Sequence, residues 1–412
     1  MPSTIITDKL SHWIDEHFDE LVAFLQKMVQ IPTDMPPGNN APHAQAVVEA
    51  LSAWGLNAAA HPVPDDMVKS YGMTSITNLI VRRPYGENGP IVAMNAHGDV
   101  VPPGEGWTRP PYGGVVENGR LYGRAAAVSK SDFATYIFAV RALEALGMPL
   151  KGCAELHLTY DEEFGGLFGP KWLLDQGLTN PDYVISAGFS YSVVTAHNGC
   201  LQFEIEVLGK ATHGSMPETG HDALAAATKI LQAIYERIPL LSSMRSSIPG
   251  INHPTMIVGR IDGGTNTNVV PGQVILKVDR RLIPEEDPAV VEADVRAFIE
   301  AAVSGLEGIT INIKRILFAN ALRPLPGHAK LANLIQKNAQ EIFCVEIPLT
   351  GSPLYTDARL YSEYGIPVVL YGAGPRTIPE SKAKQADENI ELEVLRKATK
   401  VVAMTLSDFL LL

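Results

Sequence analysis

The sequence predicts an α/β protein with a second, α+β domain inserted into it. Three observations predict this. The chain has 412 residues, more than one average domain needs. Short apolar strands alternate with amphipathic helices over its first half and again near its end. Between about 199 and 316 the texture changes to one-sided, alternating strands in a β-α-β-β-α-β order, the ferredoxin-like arrangement. The expected division is a discontinuous first domain, 1–198 and 317–412, and an inserted domain, 199–316.

Each element has a local reason. Residues 8–30 place Leu10, Ile14, Phe18, Leu21, Leu25 and Met28 at helical spacing, and Ile31-Pro32 stops the helix. A Pro/Gly/Asn loop follows, then a second helix over 42–54. Strands are predicted at Asn78–Arg82 and at Ile91–Asn95, the latter ending in the polar run Ala96-His97-Gly98-Asp99. A helix from about Ser129 to Leu146 buries Phe133, Tyr136, Ile137, Val140 and Leu143, with Ser129 and Asp132 as a capping box. The strand 153–160 runs into Asp161-Glu162-Glu163, and the strand Tyr183–Ser186 into Ala187-Gly188. Open α/β sheets place their chemistry at such carboxyl ends. The inserted domain reads as strand 201–208, helix 222–238, strands 254–259 and 274–280, helix 287–304 and strand 309–315. Helix 328–342, strand Val368–Tyr371, loop 372–389 and helix 391–411 complete the chain.

Composition excludes several classes. Hydrophobic residues make up 46% and charged residues 19%, which is globular rather than disordered. A net charge of -12 argues against nucleic acid as the main partner, because phosphate binding wants a basic face. Cys153, Cys200 and Cys344 show no CxxC spacing and read as buried, small apolar residues of a reducing compartment. The N-terminus carries Asp8, Asp15, Glu16 and Asp19 without a basic stretch, so no signal peptide is expected. No apolar run approaches the roughly 20 residues of a membrane span. The expectation is a cytoplasmic protein whose partner is a small-molecule substrate, with no nucleic acid and no membrane.

Four constellations carry chemistry. His97-Gly98-Asp99 suits a metal ligand with an orienting carboxylate two residues on. Asp161-Glu162-Glu163 crowds three acids at a strand end, which suits a cation site or a general base. His213 sits in a Gly/Ser/Pro loop, exposed enough to reach a ligand. Gly263–Gly272, with Asn268 inside it, and the later Asp279-Arg280-Arg281 suit anion cradling and a bidentate carboxylate clamp.

Taken together, and with Gly106-Trp107, Tyr122-Gly123-Arg124 and Asn268-Val269-Val270-Pro271-Gly272, these motifs resemble the co-catalytic zinc peptidase family. That family holds acetylornithine deacetylase, succinyl-diaminopimelate desuccinylase, aminoacylase and the glutamate-releasing carboxypeptidase. The resemblance runs from about 15 to 410. It implies a zinc-exopeptidase-like α/β domain with a central mixed sheet flanked by helices, and an inserted lid that also forms a homodimer. It implies His97 as a ligand of one metal with Asp99 behind it, Glu162 as the general base and Glu163 as a ligand of the other metal. It also implies His213 as the oxyanion donor, reaching the partner subunit's site, and Asn268 and Arg281 as contacts to the substrate's carbonyl or carboxylate end.

Three positions depart from that pattern. Val128 stands where an aspartate would bridge two metals, Gly188 where an acid would follow its strand, and Lys384 where a histidine would precede Asp387-Glu388. Two of five expected ligands remain, one per metal, short of the three or four that zinc demands. Asp132, Asp161, Asp387 and Glu388 are the acids left to rebuild a site; Asp132 reads better as a helix cap. Lys384 brings a fixed cation to about one metal's place, suited to neutralising Glu163 or holding a substrate oxygen. Without divalent charge, the crowded glutamates should hold protons more tightly. The expected cofactor is none, or a single weakly held zinc or manganese. The expected reaction is hydrolysis of an amide bond in a small carboxylate-bearing substrate, by Glu162, Lys384 and His213. A metal-dependent hydrolase with rearranged ligands, a lyase, cyclase or isomerase using the same groups, and a non-catalytic binding protein are the alternatives.

Overall fold

A computed structural model describes residues 2–411. The chain forms two compact units: the first takes residues up to Thr195, Pro324–Thr350 and Thr356 onward, the second Ala196–Arg323 and Gly351–Tyr355.

The first unit is built on β1 (Ala58–Pro62), β2 (Thr77–Gly86), β3 (Ile91–His97), β4 (Val115–Glu117), β5 (Arg120–Tyr122), β6 (Gly152–Thr159), β7 (Tyr183–Ser186) and the first three residues of β8 (Val193–His197). The second contributes β9 (Gly199–Leu208), β10 (Thr212–His213), β11 (Thr255–Gly263), β12 (Val269–Val270), β13 (Gln273–Leu282) and β14 (Thr310–Ala319). β15 (Leu349–Ser352), β16 (Val368–Leu370) and β17 (Asn389–Glu391) follow. The main sheet has the order β1-β2-β6-β3-β7-β16-β8-β15 and is mixed: β6, β3, β7 and β16 run parallel, β1, β2 and β8 antiparallel to their neighbours. β3 is central, which is why its apolar run is continuous rather than alternating.

Helices cover this sheet. Lys130–Ala145 is buried along most of its length, not along one stripe, because the helices Phe18–Val29 and Leu392–Leu410 pack against it. Its N-terminus is no capping box. The Ser129 hydroxyl is taken by the His97 main chain, and the Asp132 carboxylate accepts instead from the Ala373 amide at 2.6 Å. The single helix expected over 8–30 is two, Pro2–Glu16 and Phe18–Val29. The break is at His17, whose ring stacks on Trp13 and whose Nδ1 lies 2.8 Å from the Trp13 carbonyl oxygen. Cys200 is buried as expected, but Cys153 is partly exposed and Cys344 exposed, at a helix C-terminus in the left-handed region.

The second unit is an antiparallel sheet in the order β11-β13-β9-β14 with the helices Ala223–Ser243 and Pro288–Val303. β9 and β13 alternate buried and half-buried positions, and Phe203, Ile205 and Leu276 meet Ile230 and Phe298 in one core. A boundary at 316/317 would cut β14, whose pairing with β9 runs on to Ala319 opposite Cys200. Gly351–Tyr355 joins this unit too, the Gly351 amide donating to the Pro249 carbonyl. Among the described residues no helix is long and apolar enough to cross a membrane.

Candidate active site

β3 and β6 run parallel with His97 opposite Thr159, so their polar exits leave side by side. The His97 exit lies on the Tyr160 ring: a Cβ at Gly98 would stand 2.5 Å from it, so only glycine lets the chain pass. Asp99, fully buried, joins the two exits. Its main-chain oxygen is 3.0 Å and its Oδ1 3.4 Å from His97 Nδ1, and its Oδ2 accepts from the Glu163 amide at 3.0 Å. His97 Nε2 is thereby aimed at Glu162, 3.9 Å from Oε2.

Lys384 closes the group from the loop ahead of β17, its Nζ donating to Glu163 Oε2 at 2.6 Å. That loop is fastened by Glu388. Its buried carboxylate pairs with Arg124 at 2.6 Å and accepts from the amides of Ala127, Val128 and Lys384. One buried ion pair thus fixes both the 125–128 turn and the backbone of Lys384. Asp387 accepts from the Thr108 amide and hydroxyl.

The electrostatics follow from burial among acids. Burial alone would depress His97, but the hydrogen bond to Asp99 and the charges of Glu162, Asp99 and Glu163 outweigh it and hold it at about 10. Burial, then the charge of Glu162, raises Glu163 to about 7 against the pull of Lys384. Asp161 is pushed up by burial, though its Oδ2 accepts from the Phe168 amide.

The sequence reading missed Asp357. Burial and Glu162 push it to about 8, and among the described residues neither carboxylate oxygen has a hydrogen-bond partner; Arg359 Nη1 lies 3.9 Å from Oδ1. Gly166, at φ 73°, lets the chain pass this carboxylate, for a Cβ there would stand 2.2 Å from Oδ1. The available signal was an acid and an arginine two apart in Thr356-Asp357-Ala358-Arg359.

His213, Asn268 and Arg281 lie in the second unit. β10 pairs with β12, and the Gly214 amide donates to the Asn268 carbonyl at 2.7 Å, so His213 and Asn268 sit on one short ribbon. His213 is exposed, its Nδ1 2.7 Å from the Ser215 hydroxyl. Arg281 pairs with Asp279 at 2.7 Å and stacks over Tyr355.

A sequence model of peptidase family M20/M25/M40 matches residues 93–408. The chain belongs to this family. It is 27% identical to the acetylornithine deacetylase of Myxococcus xanthus over 89% of this chain and 91% of that one. To the succinyl-diaminopimelate desuccinylase of Maricaulis maris it is 28% identical over 90% of this chain and 96% of that one. An M20 family metallo-carboxypeptidase from Sulfolobus solfataricus shares the fold with a TM-score of 0.78 at 19% identity, covering 95% of this chain and 100% of that one. The chain is accordingly a hydrolase of the amidohydrolase and peptidase type.

The residues that the resemblance places at the two metals do not fit a metal pair. Among the described residues no three His, Cys, Asp or Glu side chains are grouped to hold a metal ion. Val128 offers no donor, Gly188 no side chain, and Lys384 a cation. The substitute acids are engaged elsewhere: Asp132, Asp161 and Asp387 by main-chain amides, and Glu388 by amides and Arg124.

Proposed function

We propose that this chain hydrolyses an amide bond in a small carboxylate-bearing substrate, an N-acyl amino acid or dipeptide-like compound, with little or no metal dependence. The observation that supports this reading is the 2.6 Å contact from Lys384 Nζ to Glu163 Oε2. The ammonium supplies at Glu163 the positive charge that a metal would have supplied. Glu162 then takes a proton from water as the water oxygen adds to the amide carbon. The C–N bond breaks, and Glu162 returns the proton to the leaving nitrogen. His97, oriented by Asp99, faces Glu162 at 3.9 Å.

In the same reading His213 donates to the oxyanion from the partner subunit of a homodimer formed through the inserted unit. Asn268 and Arg281 hold the carbonyl or carboxylate end. The deacylase and desuccinylase names of the relatives support a carboxylate-bearing substrate.

The test is turnover on a panel of N-acyl amino acids and dipeptides, with metal analysis of the purified protein. Activity that survives chelation, and falls at least about 100-fold in Glu162→Gln and in Lys384→Ala, is the expected result. A stoichiometric zinc or manganese whose removal abolishes turnover overturns the metal-free part. Full activity in both variants overturns the site.

A further inference from the structure

We infer that Gly188 and Asp132 form one device that closes the place of an acidic metal ligand, so that this chain, with its other lost ligands restored, accepts one metal ion but not a second. The inference rests on the metal-poor reading above and says why the loss is built into the backbone rather than confined to side chains.

The exit of β7 is clamped to the turn after β16. The Tyr371 amide donates to the Ser186 carbonyl at 2.9 Å, and the Gly374 amide to the Gly188 carbonyl at 2.9 Å. The Ser190 amide and hydroxyl both donate back to the Gly374 carbonyl, at 3.1 and 2.8 Å. The two segments therefore lie backbone to backbone at Gly188. A Cβ there would stand 2.8 Å from the Tyr371 nitrogen and 2.9 Å from the Leu370 carbonyl carbon. These are main-chain atoms, which cannot swing aside as a side-chain tip can. Glycine is required here for room, so an acid cannot be restored without moving the turn.

Asp132 holds that turn from the other side. It is 2% exposed on the buried helix Lys130–Ala145, and its Oδ1 accepts from the Ala373 amide at 2.6 Å. The same oxygen lies against Gly372, where a Cβ would come within 2.0 Å of it. One carboxylate thus holds Ala373 and lies against Gly372, in the Tyr371–Gly374 turn whose first residue crowds Gly188. Releasing it frees the turn to retreat.

A double-mutant cycle tests the device without any metal. Gly188→Ala is expected to lower Tm by roughly 3–8 °C. In the Asp132→Ala background the same change should cost less than half as much, because the turn yields. Strict additivity of the two shifts overturns the coupling. Zinc stoichiometry tests the consequence. Val128→Asp/Lys384→His, which leaves position 188 alone, should bind one zinc per chain. Adding Gly188→Glu should leave the count at one, and adding Asp132→Ala to that should raise it to two. No zinc in the first variant, or two zinc ions in the second, overturns the inference. Circular dichroism of each variant separates exclusion from unfolding, and the cycle decides the coupling if the triple variant unfolds. A metal found in the natural protein would sink the metal-poor reading, while the coupling between positions 188 and 132 would still stand or fall on the cycle alone.

Discussion

Glu155 and Asp357 are both buried acids, and their surroundings drive them in opposite directions. Burial works against Glu155, but His157, Thr179 and Arg82 all bond its carboxylate and hold it down at about 2. A depressed carboxyl stabilises the fold above its unfolded value, near 4.5, and loses that contribution as pH falls toward 2. Glu155→Gln should cost on the order of 2–3 kcal/mol at pH 7, with the gap to the natural protein narrowing below about pH 4.5. Asp357 runs the other way. Its folded value of about 8 means that the unfolded chain ionises from about 4 while the folded state keeps its proton. Stability attributable to Asp357 therefore declines from pH 4 to 8. Asp357→Asn removes that slope, so the variant should match the natural protein at pH 4 and exceed it at pH 8. Urea midpoints at these pH values check both. A gap for Glu155→Gln that does not change with pH, or a loss for Asp357→Asn that grows toward pH 8, contradicts the assignment.

At the scale of elements, helix starts with a true cap are the most predictable. Asp222 accepts from the Leu224 and Ala225 amides, and Asp287 from those of Ala289 and Val290. Each aspartate precedes an apolar-periodic run, and both helix starts were legible, although the first helix runs on through Pro239 to Ser243, past the expected end at 238. Asp222→Ala and Asp287→Ala should each cost about 1 kcal/mol, read as a shift of the urea midpoint at unchanged slope. Ser129-x-x-Asp132 carries the same local signature and is no cap, because a turn 241 residues further on claims the carboxylate. Sequence spacing cannot show such a contact. The split at His17 was hidden likewise, since the apolar spacing runs through it unbroken. For the site, β3 and β6 ended visibly, one in His97 and the other in Asp161-Glu162-Glu163. Lys384 was legible from its place before Asp387-Glu388. Asp357 was not, because its neighbours Gly166 and Glu162 come from a distant part of the chain and no periodicity surrounds it.

At the scale of the whole molecule, the inserted unit carries exposed apolar side chains on one edge strand and one helix. β11 is an edge strand with Ile257 and Ile261 more than half exposed, and Tyr235 and Leu240 stand out from the helix Ala223–Ser243. Open apolar edges invite pairing, and in the proposed homodimer a second copy of the chain would pair them symmetrically. The proposed homodimer should therefore sediment at twice 44.5 kDa, and Ile257→Lys/Ile261→Lys should return it to the monomer mass. If His213 serves the partner's site, monomers should lose turnover with the fold intact. Mixing decides this directly. Glu162→Gln has no base, and His213→Ala has no oxyanion donor, so each alone is inactive. A hybrid of the two carries both defects in one shared site and none in the other. Random exchange at equal amounts makes half the dimers hybrids, each with one working site, so activity should recover to about a quarter of the natural level. No recovery after exchange, with dimers confirmed, means that His213 acts within its own subunit, and full activity of His213→Ala alone means that it does not act at all.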